Sequence, residues 1–247
     1  LLKKNTMLTW IPDEALIGHV KVVLEKGLDG INKAEKDFAR NAIDPFSALF
    51  DAGLQNISLG QWIASEKRRQ AQKTLQNALG HFHQSILSSV EHCYCPQEGF
   101  VDLANDHLKI VAEIKNKHNT VKKSDLKSVY EELDGAVNHK TSKYHGYTAY
   151  YVTVISARQQ RFTKPFTPPD NRNSSRKTEQ RRILEIDGMS FYELLTGQKD
   201  ALYQLYRVLP NVIQTLMAEE GSCTGVNLAR DPLFLDFFQQ TFAQPVP

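Results

Sequence analysis

The residues whose types and spacing most directly suggest chemistry are Asp102, Glu113 and Lys115. They fall in two strand-like stretches, 99–104 (GFVDLA) and 108–116 (LKIVAEIKN), joined by the turn formers Asn105 and Asp106. Strict alternation places Ile110, Ala112 and Ile114 on one face of the second stretch and Lys109, Val111, Glu113 and Lys115 on the other. Matching faces sets Val101 and Leu103 against the first group and leaves Asp102 with Glu113 and Lys115. In a tight antiparallel pair Asp102 then lies across from Glu113 or one diagonal away, within about 5–8 Å. Two carboxylates at that separation suit Mg²⁺, a hard cation that takes oxygen ligands and keeps several waters, with the Ile114 carbonyl as a further ligand. Such an ion polarises a phosphoryl oxygen and acidifies a bound water. Lys115 would orient that water and offset charge on a phosphorane, so the trio points to phosphodiester hydrolysis.

A solvated strand face also alternates acids with lysines, and a bare D-x₁₀-E-x-K pattern arises by chance. The apolar run Ile110, Val111, Ala112 and Ile114 argues against that reading. It predicts a strand buried on both faces, where Glu113 and Lys115 would be costly without a task.

The elements that must position the trio read as helices, then strands, then helices. Pro12-Asp13-Glu14 opens a helix expected to end at Gly27. Asp44 caps a short second helix with Pro45 at its first position. A third runs from Ser58 towards Ser89, with Ile63, Leu75, Leu79, Phe82, Ile86 and Val90 as its core stripe. A helix is expected over 123–137, a central strand over 147–156 (YTAYYVTVIS) and another over 181–187. Helices then follow at 190–195, 199–219 and 231–242. This predicts an α/β fold, a central mixed sheet flanked by helices. It is divided into an N-terminal helical region packing on the core (1–92), a catalytic core (93–219) and a C-terminal helical extension (220–247).

The chain has 247 residues, 41% hydrophobic and 23% charged, enough for a sizeable core and too apolar for a disordered chain. No apolar run reaches the ~18–20 residues that cross a bilayer. Near the start there is neither an apolar stretch nor a small-residue cleavage site, so a cytoplasmic protein without a signal peptide is expected. Met7 is the earliest plausible start, and residues 1–6 read as a tag or reading-frame remnant. Three cysteines, Cys93, Cys95 and Cys223, cannot all pair within the chain, and their spacing suits no zinc site, so free thiols in a reducing compartment are expected.

Net charge is only +2, but eight Lys/Arg against two acids lie between Arg158 and Arg182, leaving the remainder of the chain negative. A basic island on an acidic protein is a candidate polyanion contact.

GFVDLAN followed by KIVAEIKNKHNT resembles the PD-(D/E)XK nuclease signature, with Asp102 as first acid, Glu113 as second and Lys115 as the lysine. Val101 stands where the signature usually has proline. The blocks GHFHQSIL (80–87), EIKNKHNT (113–120), IDGMSFYELLTGQKDAL (186–202) and LPNVIQ (209–214) are similar to one family of type II restriction endonucleases. These are the SinI-like enzymes, which cut GGNCC or GGWCC sites, and the resemblance spans about residues 10–217. It implies a restriction-endonuclease-like core and Mg²⁺-dependent cleavage of double-stranded DNA by a homodimer, in company with a cognate DNA methyltransferase.

Under that resemblance Lys117, His118, Asn119 and Thr120 would line the DNA near the scissile phosphate, although a helix-capping turn uses the same donors. Glu66 and Gln84 are auxiliary candidates, Glu66 having a surface pairing with Lys67, Arg68 or Arg69 as its plainer role; His83 is a weaker one still. Arg172, Arg176, Arg181 and Arg182 form the pool of base readers, since arginine pairs bidentately with guanine, while Arg158, Arg161 and Lys164 are assigned to phosphates. The alternatives are a repair or junction-resolving nuclease on the same fold, a catalytically inert DNA-binding protein, and a helical scaffold that binds no nucleic acid.

Overall fold

The structure is a computed structural model describing residues 6–40, 43–97, 99–122, 124–170, 175–221 and 225–242. Arg172 and Cys223 lie outside the described residues. The chain divides into two compact units, one of residues up to Gly18 together with His83 onward, the other His19–Phe82. Residues 6–18 thus fall in the same unit as the sheet.

Three helices supply the smaller unit: α1 (Asp13–Lys36), α2 (Pro45–Gln55) and most of α3 (Leu59–Ser88). The Asp44 carboxylate accepts from the Phe46 and Ser47 amides at 3.0 and 3.3 Å, so the expected cap starts α2. Helix α1 does not stop at Gly27. A β-carbon at Gly30 would sit 2.8 Å from Thr74 of α3, so α1 continues because its small residues let the two helices approach closely. Phe38, Ala48, Ala52 and Trp62 form this unit's core. Ile63, expected in the α3 stripe, is exposed; its neighbour Trp62 takes the buried position and donates to Asp51 at 2.9 Å.

In the larger unit β1 (Cys93–Tyr94), β2 (Leu103–Asn105), β3 (Ile110–Lys117), β4 (Thr148–Ile155), β5 (Thr163–Pro165) and β8 (Ile183–Asp187) form one sheet. Its order is β1-β2-β3-β4-β8-β5. The β3–β4 and β4–β8 pairings are parallel and the rest antiparallel, giving the expected mixed sheet. The central run 147–156 is β4. A two-stranded ribbon, β6 (Pro169–Asp170) with β7 (Ser175–Arg176), stands apart from it within the basic segment.

One face is covered by α4 (Leu126–Asn138), whose Val129, Tyr130, Leu133 and Val137 pack with Val111, Ala149, Tyr151 and Ile183. Val101, expected beside Leu103, instead joins this cluster with Ala104: strand pairing begins at Leu103, and alternation does not extend back past it. The other face carries α5 (Gly188–Thr196), with Phe191 5.9 Å from the Tyr150 ring of β4. A β-carbon at Gly188 would lie 2.6 Å from the Val154 carbonyl oxygen, so only glycine admits α5 this close to β4. Helices α6 (Ala201–Glu219) and α7 (Leu233–Thr241) follow. Among the described residues no helix is long and apolar enough to cross a membrane.

Candidate active site

The turn after β2 is built by Asn105, whose side-chain oxygen accepts from the Leu108 amide at 2.8 Å, and by Lys109 at φ 55°. This closes a register of Leu103 with Ala112, Ala104 with Val111 and Asn105 with Ile110. Asp102 stands just before the first pair, and its carboxylate meets that of Glu113. The Asp102 amide donates to Ala112 at 2.9 Å, and its carboxylate accepts from the Ile114 amide at 2.7 Å. The Lys115 ammonium lies 2.5 Å from Glu113. Asp102, Glu113 and Lys115 therefore converge on the α4 face, at the end of β3 where burial gives way to solvent from Lys115 onward.

The electrostatics are those of a crowded acidic pair. Glu113 is 9% exposed. Burial first, then the charge of Asp102, push its carboxyl up to about 7, with Lys115 pulling the other way. Two adjoining acids short of positive charge fit a cation. Along a strand the N–H and C=O of one residue point to the same side, so the Ile114 carbonyl faces the β2 side, where its amide meets Asp102. All three donors are hard oxygens, which suits Mg²⁺. No cluster of three His, Cys, Asp or Glu side chains that could hold a metal occurs among the described residues, so water and substrate oxygens would complete the shell.

Tyr151 and Thr153 of β4 pair in register with Glu113 and Lys115, and Tyr151 pairs in turn with Glu185 of β8. These three residues line a cleft of about 590 Å³ together with His118, Arg158, Gln160 and Lys164. Burial and the charges of Glu113 and Glu185 push the Tyr151 phenol up to about 12. None of the three was singled out from sequence; the β-rich run located β4, but a parallel register between distant strands leaves no local signal.

The remaining candidates are dispersed. Lys117, His118, Asn119 and Thr120 form an exposed turn at the end of β3, with the Thr120 hydroxyl on the Lys117 carbonyl and the His118 amide on Ile155 at 3.0 Å. His83 contacts the Tyr192 hydroxyl at 2.8 Å, on the α5 side of the sheet rather than beside Glu113, and burial lowers its pKa to about 4. The neighbouring Gln84 accepts from the Cys95 thiol through its carbonyl. In the smaller unit Glu66 is held by Arg69 at 2.6 Å, which keeps its carboxyl below the usual range.

Four of the seven described cations of the basic segment are held by the protein's own acceptors. Arg161 pairs with Glu193, Lys164 with Glu185 at 2.8 Å and Lys177 with Glu131 at 2.8 Å, while Arg176 donates to the Thr167 carbonyl at 2.9 Å. Arg181 and Arg182 are exposed in the turn entering β8. There the Arg182 carbonyl bonds Ala149, which is level with Val111. They thus sit towards the opposite end of the parallel strands from Glu113 and Lys115, roughly 10 Å along and two strands across.

Comparison with known proteins bears out the resemblance carried by the residue blocks. The chain is 40% identical over 235 residues to the Type II restriction enzyme Eco47II of Escherichia coli, covering 94% of this chain and 98% of that protein. It is 32% identical over 250 residues to the Type II restriction enzyme Sau96I of Staphylococcus aureus, covering 97% and 91% respectively. No solved structure matches the chain. A family model described as Eco47II restriction endonuclease matches residues 8–218, most of the chain, and with these relatives it establishes that the chain belongs to the Eco47II restriction endonuclease family.

Proposed function

We propose that this protein is a Type II site-specific endonuclease that hydrolyses phosphodiester bonds of double-stranded DNA at a GGNCC or GGWCC palindrome. The observation that carries the reading is the convergence of Asp102, Glu113 and Lys115 beside an open cleft, with the Glu113 carboxyl raised to about 7. Asp102 and Glu113 would hold Mg²⁺, with the Ile114 carbonyl as a third donor. When bound, the ion supplies charge neutralisation at the phosphoryl group and a water of lowered pKa.

The chain's own residues do the rest. The Ile114 amide fixes the Asp102 carboxylate in orientation. Lys115, 27% exposed, stands where β3 meets solvent and can donate to the attacking water or to a phosphoryl oxygen as negative charge develops. Lys117, His118, Asn119 and Thr120 offer donors to the adjoining backbone phosphates, and Arg176, Arg181 and Arg182 extend the basic surface. A palindrome requires two copies related by a twofold axis, hence a homodimer. A cytoplasmic enzyme that cuts such sites needs a methyltransferase to protect the host's own DNA.

Plasmid DNA incubated with the protein and Mg²⁺ should yield discrete fragments whose ends share one palindrome, and EDTA should abolish them. A smear would favour a non-specific nuclease, and intact plasmid an inert DNA-binding protein.

A further inference from the structure

Arg158 lies in the loop between β4 and β5, at the mouth of the cleft whose wall includes Tyr151 and Thr153, the register partners of Glu113 and Lys115. It therefore opens on the same cleft as the strand neighbours of Glu113 and Lys115. Its backbone is pinned. The Ser156 hydroxyl and the Gln160 amide both donate to the Arg158 carbonyl, at 2.6 and 2.8 Å, and the Gln159 side chain is tied to the Gln240 carbonyl of α7. Its side chain is not: among the described residues the exposed Arg158 guanidinium makes no hydrogen bond or ion pair.

Among the described residues the other cations of the basic segment lack one or other of these properties. Arg161, Lys164 and Lys177 are neutralised by Glu193, Glu185 and Glu131, and Arg176, its Nε on the Thr167 carbonyl, does not line this cleft. Arg181 and Arg182 stand at the far end of β8. A base reader must present an unspent donor fork from a rigid support, within reach of the nucleotides next to the scissile phosphate.

We propose that Arg158 is a specificity-determining residue, reading a guanine through its O6 and N7 in the major groove, and is not one of the phosphate contacts. This rests on the nuclease reading above and deepens it by naming where sequence is read. The guanidinium fork matters as well as the charge, since a lysine at this position keeps the attraction to DNA and loses the bidentate geometry.

The test measures binding in Ca²⁺ of wild type, Arg158→Ala and Arg158→Lys to a duplex carrying GGACC, to a scrambled duplex, and to GGACC duplexes with 7-deazaguanine at single positions. In wild type, one 7-deaza substitution should weaken binding roughly tenfold or more, because it deletes the N7 acceptor. Arg158→Ala should be indifferent to that substitution and discriminate GGACC from scrambled DNA roughly tenfold less, and Arg158→Lys, lacking the planar fork, should lose part of both. Arg158→Lys should also keep the wild-type salt dependence. Unchanged melting temperatures would show that the variants fold, as expected of a side chain with no internal bonds. If each 7-deaza penalty is the same in Arg158→Ala as in wild type, or if Arg158→Lys retains full discrimination, the assignment is overturned. If wild type itself does not distinguish GGACC from scrambled DNA, the nuclease reading falls and this inference with it.

Discussion

Replacing Glu113 by glutamine should abolish cleavage and, in the absence of metal, make the folded protein more stable at about pH 8. The sign follows from the direction of the shift. The carboxyl is raised from an ordinary 4.5 to about 7, by burial and then by Asp102. Below 4.5 it is protonated in both folded and unfolded chains and has no effect. As pH rises from 4.5 to 7 the unfolded chain releases this proton while the folded chain retains it, so stability is lost across that window and the loss saturates above 7. A shift of this size corresponds to about 3 kcal/mol, at about 1.4 kcal/mol per unit. Glutamine carries no charge to desolvate, and its amide oxygen can still accept from Lys115. A net gain of about 1–3 kcal/mol is expected, or a rise in melting temperature of about 5 °C for a chain of this size. Thermal melts in EDTA from about pH 5 to pH 8 should show the wild-type curve falling relative to the variant's. Mg²⁺ should then stabilise wild type, by about 2.7 kcal/mol at a hundredfold excess over its dissociation constant, and leave the variant almost unmoved. If the two proteins melt in parallel across the pH range, the crowding of Asp102 and Glu113 is not as described.

Lys115→Ala should remove cleavage and preserve Ca²⁺-supported binding of the cognate duplex, measured by anisotropy; cutting at the wild-type rate would displace Lys115 from the site. Asp187 is 4% exposed and caps α5 through the Ser190 amide at 3.0 Å while accepting from Phe162 at 2.6 Å. Asp187→Ala should therefore cost about 2–3 kcal/mol in urea unfolding. Gly188→Ala forces a β-carbon to within 2.6 Å of the Val154 carbonyl and should cost at least about 1–3 kcal/mol. A melting temperature equal to wild type would show that α5 can retreat from β4.

Local patterns carried much of the architecture. Asp44-Pro45 announces α2 because a cap and a fixed φ act within one turn. The juxtaposition of Asp102 and Glu113 was readable because a short turn and a period of two leave little choice of register. Beyond the turn the same logic failed at Val101, where pairing had not begun. Gly27 looked like a helix end because local propensity cannot register the α1–α3 contact made with Thr74 and Leu75. Strands β1, β5, β6 and β7 have two or three residues each, too few to show any period. The basic segment was the least legible part. Its surplus of charge was plain, but its neutralisation by Glu131, Glu185 and Glu193 depends on partners brought in from other elements. That pairing also hid the contrast with Arg158.

The alternation along β3 has a consequence for how this enzyme can diverge. Inserting or deleting one residue between Ile110 and Glu113 would rotate the acid and the lysine into the oily layer beneath α5 and turn Ala112 and Ile114 towards the substrate. Descendants that change in size must therefore absorb the difference elsewhere, and the small β6–β7 ribbon, which among the described residues pairs with no strand of the main sheet, offers room for it.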